Sequence, residues 1–224
     1  MGAKAHPKSW QTATLRSTFE RNARRRGFQR IAGVDEAGRG ALFGPVFAAA
    51  VILDPAKPIR GLRDSKQLDA PRREILALRI RERALAWAVA AVEAEEIDRV
   101  NIYQASRIAM ERAILRLHPP ADYLLLDAMR VTLSLPQQGI VHGDALCPTI
   151  AAASILAKVE RDACMQAWDA VYPQYGFAQH KGYPTADHLR ALEIHGPTPH
   201  HRKTYSPVRQ RSLFAFPATG EVCP

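Results

Sequence analysis

Short apolar runs, each closed by an acid or by a Gly/Pro turn, set the pattern of the first half of the chain. Arg30–Asp35, apolar at Ile31 and Val34, predicts a strand ended by Glu36-Ala37-Gly38-Arg39-Gly40. Pro45–Leu53, rich in Val, Ala and Ile, predicts a second, buried strand closed by Asp54-Pro55. After a loop carrying Arg63-Asp64-Ser65-Lys66, Asp69 is placed to cap a helix with Pro71 in its first turn, running to about Arg83. The pattern of Ala84–Ala94 fits helix or strand, and Trp87, Val89 and Val92 favour strand. Asn101–Leu117 is apolar at 102, 105, 109, 113 and 117, the three- and four-residue steps of an amphipathic helix, which Pro119-Pro120 stops. Asp122–Asp127 predicts a short apolar strand ending in a carboxylate, and Gly139–Asp144 repeats that design. Thr149 then caps an almost wholly apolar helix, Ile150–Ala157, that continues to about Trp168. Apolar residues all round its first turns put that helix beneath the sheet. A Tyr/Pro/Gly-rich stretch, Tyr172–Pro184, leads to a last helix from Thr185 to about His195. The sum is a mixed sheet with helices on its faces, in the α/β or α+β class.

Composition narrows this only a little. A chain of 224 residues, 47% apolar and 24% charged, predicts one domain, or one domain with a modest appendage, and excludes a fibre or a largely disordered chain. The longest apolar stretches, Val46–Leu53 and Ile150–Ala157, are far shorter than the ~20 residues that span a bilayer. The start has no apolar signal-peptide core, and Cys147, Cys164 and Cys223 form no CxxC pair, so a reducing cytoplasm is expected.

Charge says more. The net +9 comes from 31 Lys and Arg, 24 of them arginine, whose planar fork suits phosphate. A polyanionic partner, above all nucleic acid, is expected, with an Arg-biased surface as the plain alternative. Six arginines lie between Arg16 and Arg30, forming either a phosphate-neutralising arm or one face of a short helix.

Three predicted strands end in acids: Asp35-Glu36, Asp127 and Asp144. In an open α/β sheet ligands gather outside the strand ends, where the loops diverge. Carboxylates crowded there repel one another unless a cation sits between them. All-oxygen ligation suits Mg²⁺ or Mn²⁺, and two such ions about 4 Å apart can drive an in-line phosphoryl displacement. Spacing alone therefore points to a metal-dependent phosphodiesterase. Other chemistries lack their motifs. Gly38-x-Gly40-x-x-x-Gly44 misses the dinucleotide fingerprint by one residue, and there is no phosphate loop or nucleophile elbow. His195, His200 and His201 have no cysteine nearby and read as surface or phosphate-contacting groups.

Seven segments resemble bacterial ribonuclease HII, the type 2 ribonuclease H family: IAGVDEAGRGALFGPVFAAAVIL (31–53), RDSKQL (63–68), LLLDA (124–128), GDAL (143–146), AAASILAKVERD (151–162), YPQYGFAQHKGYPTADHL (172–189) and HGPTPHHRKTYSPV (195–208). The order is collinear over about residues 28–210. The resemblance implies an α/β fold: an RNase H-like mixed five-stranded sheet flanked by helices, with a C-terminal helical portion. It divides the chain into a basic extension (1–28), a catalytic domain (29–209) and a tail (210–224). It implies hydrolysis of RNA in RNA/DNA hybrids and cleavage 5′ of single ribonucleotides embedded in duplex DNA, leaving 3′-hydroxyl and 5′-phosphate ends. It also implies two Mg²⁺ or Mn²⁺ ions held by Asp35, Glu36, Asp127 and Asp144, in a monomer. The family's turn that meets the ribose 2′-hydroxyl falls on Gly38, Arg39 and Gly40, and its sugar-stacking tyrosine on Tyr183. Lys66, Ser154 and Lys158 fall where backbone phosphates are bound. Two positions depart from the family pattern: Ala128 stands where many members have glycine, and His142 where many have lysine. A non-catalytic hybrid-binding module has no use for four repelling acids, and a resolvase-type nuclease has none for the GRG turn. In the tail, Gln210-Arg211-Ser212-Leu213-Phe214 resembles the pentapeptide by which bacterial repair proteins dock on the sliding clamp; Gln210, Leu213 and Phe214 are its anchors.

Overall fold

The computed structural model describes residues 18–212, without the side chains of residues 211 and 212. The chain runs α1 (Thr18–Arg25), β1 (Ile31–Ala37), β2 (Val46–Leu53), a 3-10 turn (Ser65–Gln67), α2 (Ala70–Arg83), β3 (Ala84–Val92), α3 (Ala94–Val100), α4 (Ile102–Leu115), β4 (Tyr123–Asp127) and β5 (Gln137–Ile140). It continues as α5 (Gly143–Leu146), α6 (Pro148–Val171), α7 (Phe177–His180), α8 (Ala186–His195) and α9 (Ser206–Ser212). One five-stranded sheet has the order β3-β2-β1-β4-β5. Strands β1, β2 and β3 form an antiparallel meander, while β4 and β5 join β1 in parallel.

Both faces of the sheet are covered, which is why β2 reads as an unbroken apolar run. One face sets Ala32, Val34, Ala48, Ala50, Leu124 and Leu126 against Ala105, Ala109, Met110 and Ala113 of α4. The other sets Ala49 and Val51 against α2 and the Ala151–Ala157 stretch of α6. Small side chains bring α6 almost to backbone contact with the sheet. A Cβ on Gly33 would lie 2.2 Å from the Thr149 carbonyl carbon, so only glycine fits there. Behind α6, an aromatic cluster around Phe43, Tyr175 and Phe177 joins the C-terminal helices to the loop after β1, with Phe43 stacked on Phe177 at 3.9 Å.

The helix expected from Asp69 begins as predicted, the Asp69 carboxylate accepting from the Arg72 amide. Ala84–Val92 is a strand. Two local expectations are corrected. The Gly139–Asp144 segment does not remain extended: β5 ends at Ile140, His142 turns left-handed (φ 57°), and Asp144 lies in the first turn of α5. Thr149 is not the cap of α6, which starts at Pro148 after Cys147. The first-turn donors, which no cap of the helix's own satisfies, are met from another element. Glu20 Oε1 accepts from the Thr149 amide (3.1 Å) and hydroxyl (2.7 Å) and from the Cys147 thiol.

Of the basic run, Arg21, Arg24 and Arg25 lie in the folded helix α1, while Arg26 and Arg30 follow it and Arg16 lies outside the described residues. With Glu20 and Ala23 inward, α1 docks against Ile31, Tyr123, Leu125 and Ile150. Among the described residues, no helix is long and apolar enough to cross a membrane.

Candidate active site

Parallel pairing sets Val34 of β1 beside Leu126 of β4, so the next residues, Asp35 and Asp127, lie side by side where that pairing stops; β1 itself runs on to Ala37, so Asp35 stands within the strand and not at its predicted end. The turn after β5 brings in Asp144. Carboxylate oxygens of Asp35, Asp127 and Asp144 all lie within 4.8 Å of one another. Glu36 follows Asp35 on the strand and so departs from the other face of β1. Its Oε1 pairs with the Arg39 guanidinium at 3.2 Å, and its buried Oε2 has no partner. Three of the four predicted acids therefore form one cluster, with the fourth at its edge.

Crowding and burial both act on these groups. Burial, then the charges of Glu36 and Asp127, hold the Asp35 carboxyl well above the ordinary carboxylate range. Burial also raises Glu36 against the opposing pull of Arg39, and burial followed by Asp64 and Asp127 raises Asp144. A low-dielectric site of mutually repelling carboxylate oxygens is the donor set a hard divalent cation stabilises, and the residues fit such an ion.

Several neighbours fix the acids in place. The Gly143 amide donates to Asp127 Oδ1 at 2.7 Å. A Cβ on Gly143 would meet Ile150 Cδ1 at 2.6 Å, so α5 reaches Asp127 this closely only through glycine. Ser154 is buried rather than facing outward; its hydroxyl bonds Asp35 and meets the Ser65 hydroxyl at 2.9 Å. Lys66 projects from the 3-10 turn, largely exposed, with Nζ 3.6 Å from Asp144. Its pKa is lowered by burial but raised further by Asp144, Asp64, Asp35 and Asp127, and the net shift is upward. Lys158 is turned onto Asp162, which also holds Arg73 at 3.5 Å; Arg73 in turn bonds the Ser65 and Leu68 carbonyls. Of the three predicted phosphate ligands only Lys66 is exposed, beside the carboxylates.

The Gly38-Arg39-Gly40 turn is fastened from below. Gly38 has φ 98°, and a Cβ there would collide with Arg161 Nε at 2.0 Å. Gly40 is exposed with nothing within 4 Å of its missing Cβ, leaving its backbone open to an incoming group. Arg202, fully buried, donates to the Arg39 carbonyl at 2.8 Å and the Gly44 carbonyl at 3.0 Å, and the Tyr205 hydroxyl also bonds the Arg39 carbonyl. The Arg161 guanidinium lies 5.0 Å from the centre of the half-buried Tyr183 ring, so one cation touches both the turn and the tyrosine.

The ribonuclease HII family model matches residues 32–209. The chain belongs to the ribonuclease HII family. Ribonuclease HII of Solibacter usitatus is 61% identical over 198 residues, 88% of this chain and 87% of that protein. Among solved structures, ribonuclease H2 of Pyrococcus horikoshii OT3 superposes with a TM-score of 0.71 at 25% identity, covering 83% of this chain and 98% of that one. The RNase HII of Archaeoglobus fulgidus, solved in complex with PCNA, gives 0.67 at 26% identity, over 79% and 95% of the two chains. A Bst-RNase HIII solved with Mn²⁺ shares the fold at 16% identity and a TM-score of 0.61, over 96% and 76%. The protein is accordingly a type 2 ribonuclease H, a metal-dependent endonuclease acting on RNA/DNA hybrids.

Three contributors escape the sequence reading: Asp64, close enough to raise Asp144, and the buried Arg161 and Arg202. The motif strings contain all three, but only folding brings them beside the cleft. His201 is corrected. It is fully buried in the aromatic cluster, not a surface group, because the Thr198 turn folds it under Phe43.

Proposed function

We propose that this ribonuclease HII cleaves on the 5′ side of single ribonucleotides embedded in duplex DNA, as well as RNA in hybrids, by two-metal-ion hydrolysis. The observation carrying this reading is one juxtaposition. The carboxylates of Asp35, Asp127 and Asp144 converge, Glu36 of the same strand pairs with Arg39 of the turn that leaves the Gly40 backbone open, and Arg161 packs both under that turn and against the Tyr183 ring. Asp35, Glu36, Asp127 and Asp144 would hold Mg²⁺ or Mn²⁺, which supplies an activated water and a counter-charge for the leaving oxygen. The chain's own work is orientation. Ser154 and the Gly143 amide hold Asp35 and Asp127 in place, while Lys66 receives a backbone phosphate at the cleft mouth. The backbone of Gly38-Arg39-Gly40 reads the 2′-hydroxyl, the one group that marks RNA there. Tyr183 stacks on the sugar that follows, with Ser154 and Lys158 lying behind the phosphate path.

A duplex with one ribonucleotide, incubated with Mg²⁺ or Mn²⁺, tests this. A single cut giving 3′-hydroxyl and 5′-phosphate ends is expected; an intact duplex beside a cleaved hybrid overturns the reading.

The tail supports a second reading: docking on a sliding clamp through Gln210, Leu213 and Phe214. Gln210 is exposed on α9, whereas Leu213 and Phe214 lie outside the described residues. The support is the peptide itself and the PCNA complex of the Archaeoglobus protein. Titration against the cognate clamp, with Leu213→Ala/Phe214→Ala as control, decides it; equal binding by both proteins refutes it.

A further inference from the structure

Away from the carboxylates, a buried polar cluster of histidines lies under the Tyr183 loop. His188 and His201 are fully buried among Phe43, Tyr175 and Phe177, where apolar side chains would pack at lower cost. Their hydrogen bonds admit one assignment of protons. The Thr198 amide donates to His201 Nδ1 at 2.9 Å, so that nitrogen is an acceptor and the proton of the neutral ring sits on Nε2. His201 Nε2 lies 3.1 Å from His188 Nε2, which must therefore accept. The remaining proton of His188 is on Nδ1 and is donated to the Tyr183 carbonyl at 3.0 Å. Burial keeps both rings neutral, with pKa values lowered to about 4 for His188 and about 3 for His201.

The same loop is held at other backbone atoms. His180, stacked on His188 at 4.6 Å, accepts from the Gly182 amide through Nδ1 and donates through Nε2 to the Tyr175 carbonyl. Arg161 donates to the Lys181 carbonyl at 2.8 Å. These contacts hold two successive left-handed residues, Lys181 (φ 54°) and Gly182 (φ 76°), that turn Tyr183 toward Arg161. A strained non-glycine residue persists only where its surroundings over-determine it.

We propose that His188, its proton fixed by His201, is a positioning residue for Tyr183, and that preference for an isolated ribonucleotide over continuous RNA depends on this buried pair. The inference rests on the reading of Tyr183 as the group stacked on the sugar after the cleavage point. Two measurements test it. In long-range ¹H–¹⁵N spectra of the wild-type protein at neutral pH, His188 should carry its proton on Nδ1 and His201 on Nε2; a proton on His188 Nε2 overturns the proposal.

In cleavage assays, kcat/KM is compared on a one-ribonucleotide duplex and on a continuous hybrid for the wild type, Tyr183→Ala, His188→Leu and His188→Asn. Tyr183→Ala and His188→Leu should lose on the order of tenfold or more on the first duplex. Their change on the second should be much smaller. His188→Asn, whose amide can replace the Nδ1 donor, should recover most of the loss. Equal losses on both duplexes in Tyr183→Ala overturn the reading of the tyrosine and the inference with it. Equal losses in His188→Leu beside a selective loss in Tyr183→Ala overturn the inference alone. Should His188→Leu fail to fold, an Asn variant that loses the preference while folding normally has the same effect.

Discussion

Asp35 shows at the scale of one residue how function and stability oppose each other. Its carboxylate is buried and faces two other acids, so ionisation at neutral pH costs the fold energy. Asp35→Asn keeps an oxygen to accept from the Glu36 amide and removes the repulsion. In metal-free buffer the variant should gain about 1 kcal/mol, roughly 2–4 °C in Tm, while cleavage falls to background. A calorimetric scan paired with a hybrid cleavage assay checks both, and an active variant would exclude Asp35 from the proposed metal site. Ala128 is a second residue-scale conflict. It sits at φ 48°, a conformation in which a Cβ is strained and the family's usual glycine is not. Ala128→Gly should stabilise the protein by about 0.5–1 kcal/mol, the relief of strain exceeding the entropy added to the unfolded chain. Urea melts measure this, and a destabilised variant would contradict the strain argument.

At the scale of elements, α1 and α6 are coupled through Glu20. The first turn of α6 has no side-chain cap of its own, and the Glu20 carboxylate supplies the missing acceptor across the sheet end. Glu20→Ala leaves the buried amide and hydroxyl of Thr149 unmatched and should cost roughly 2–3 kcal/mol. Glu20→Gln, which keeps one acceptor oxygen, should cost less; equal unfolding midpoints for wild type and Glu20→Ala would show that α1 does not anchor α6. The histidine pair ties α8 to the Thr198 turn and gives that contact a pH dependence. Folded-state values near 4 and 3 lie below the ordinary 6.5, so between those limits the unfolded chain binds more protons than the native one. Their contribution is full above about pH 6.5 and is lost as pH falls toward 4. The raised carboxyls of Asp35, Glu36 and Asp144 work in the opposite sense, so the comparison is best made against a variant. The stability advantage of wild type over His188→Asn should shrink by about 3 kcal/mol between pH 6.5 and 4. An advantage that stays constant across that range would refute the titration.

For the whole molecule, the distribution of charge matters more than its sum. The arginines of α1 stand where β1 and β4 begin, and the carboxylate cluster stands where they end. Arg24 is also engaged structurally, bonding the Gln29 carbonyl, and Arg26, just past the helix, bonds the Tyr123 hydroxyl. Replacing Arg21, Arg24 and Arg25 together by Gln should leave the slope of log K against log salt for hybrid binding nearly unchanged. Lys66→Gln, at the cleft mouth, should flatten it by about 0.9, the value for one lost phosphate contact. The reverse ranking would show that the duplex extends over the α1 end of the sheet.

Periodicity along the chain was enough to determine the strands at 31, 46 and 123, the capped helix after Asp69 and the long helix beneath the sheet, while at 84 it left helix and strand open and Trp87, Val89 and Val92 decided for strand. Each is decided by local burial and capping, which act over a few residues. Asp35 and Asp127 were legible for the same reason, since each follows an apolar run directly, whereas Asp144 follows Ile140-Val141 only after His142-Gly143. What required the tertiary structure were contacts between segments remote in sequence. Pattern alone could not show Glu20 capping α6 or Ser154 turned inward to Asp35. Nor could it show Arg161 and Arg202 buried beneath the glycine turn. Neither Arg161 nor Arg202 has an acidic partner among its hydrogen bonds, and both meet backbone carbonyls instead. Carbonyls occur at every position and leave no mark in a sequence. Only the close packing of α6 and the C-terminal helices decided which of them these arginines would hold.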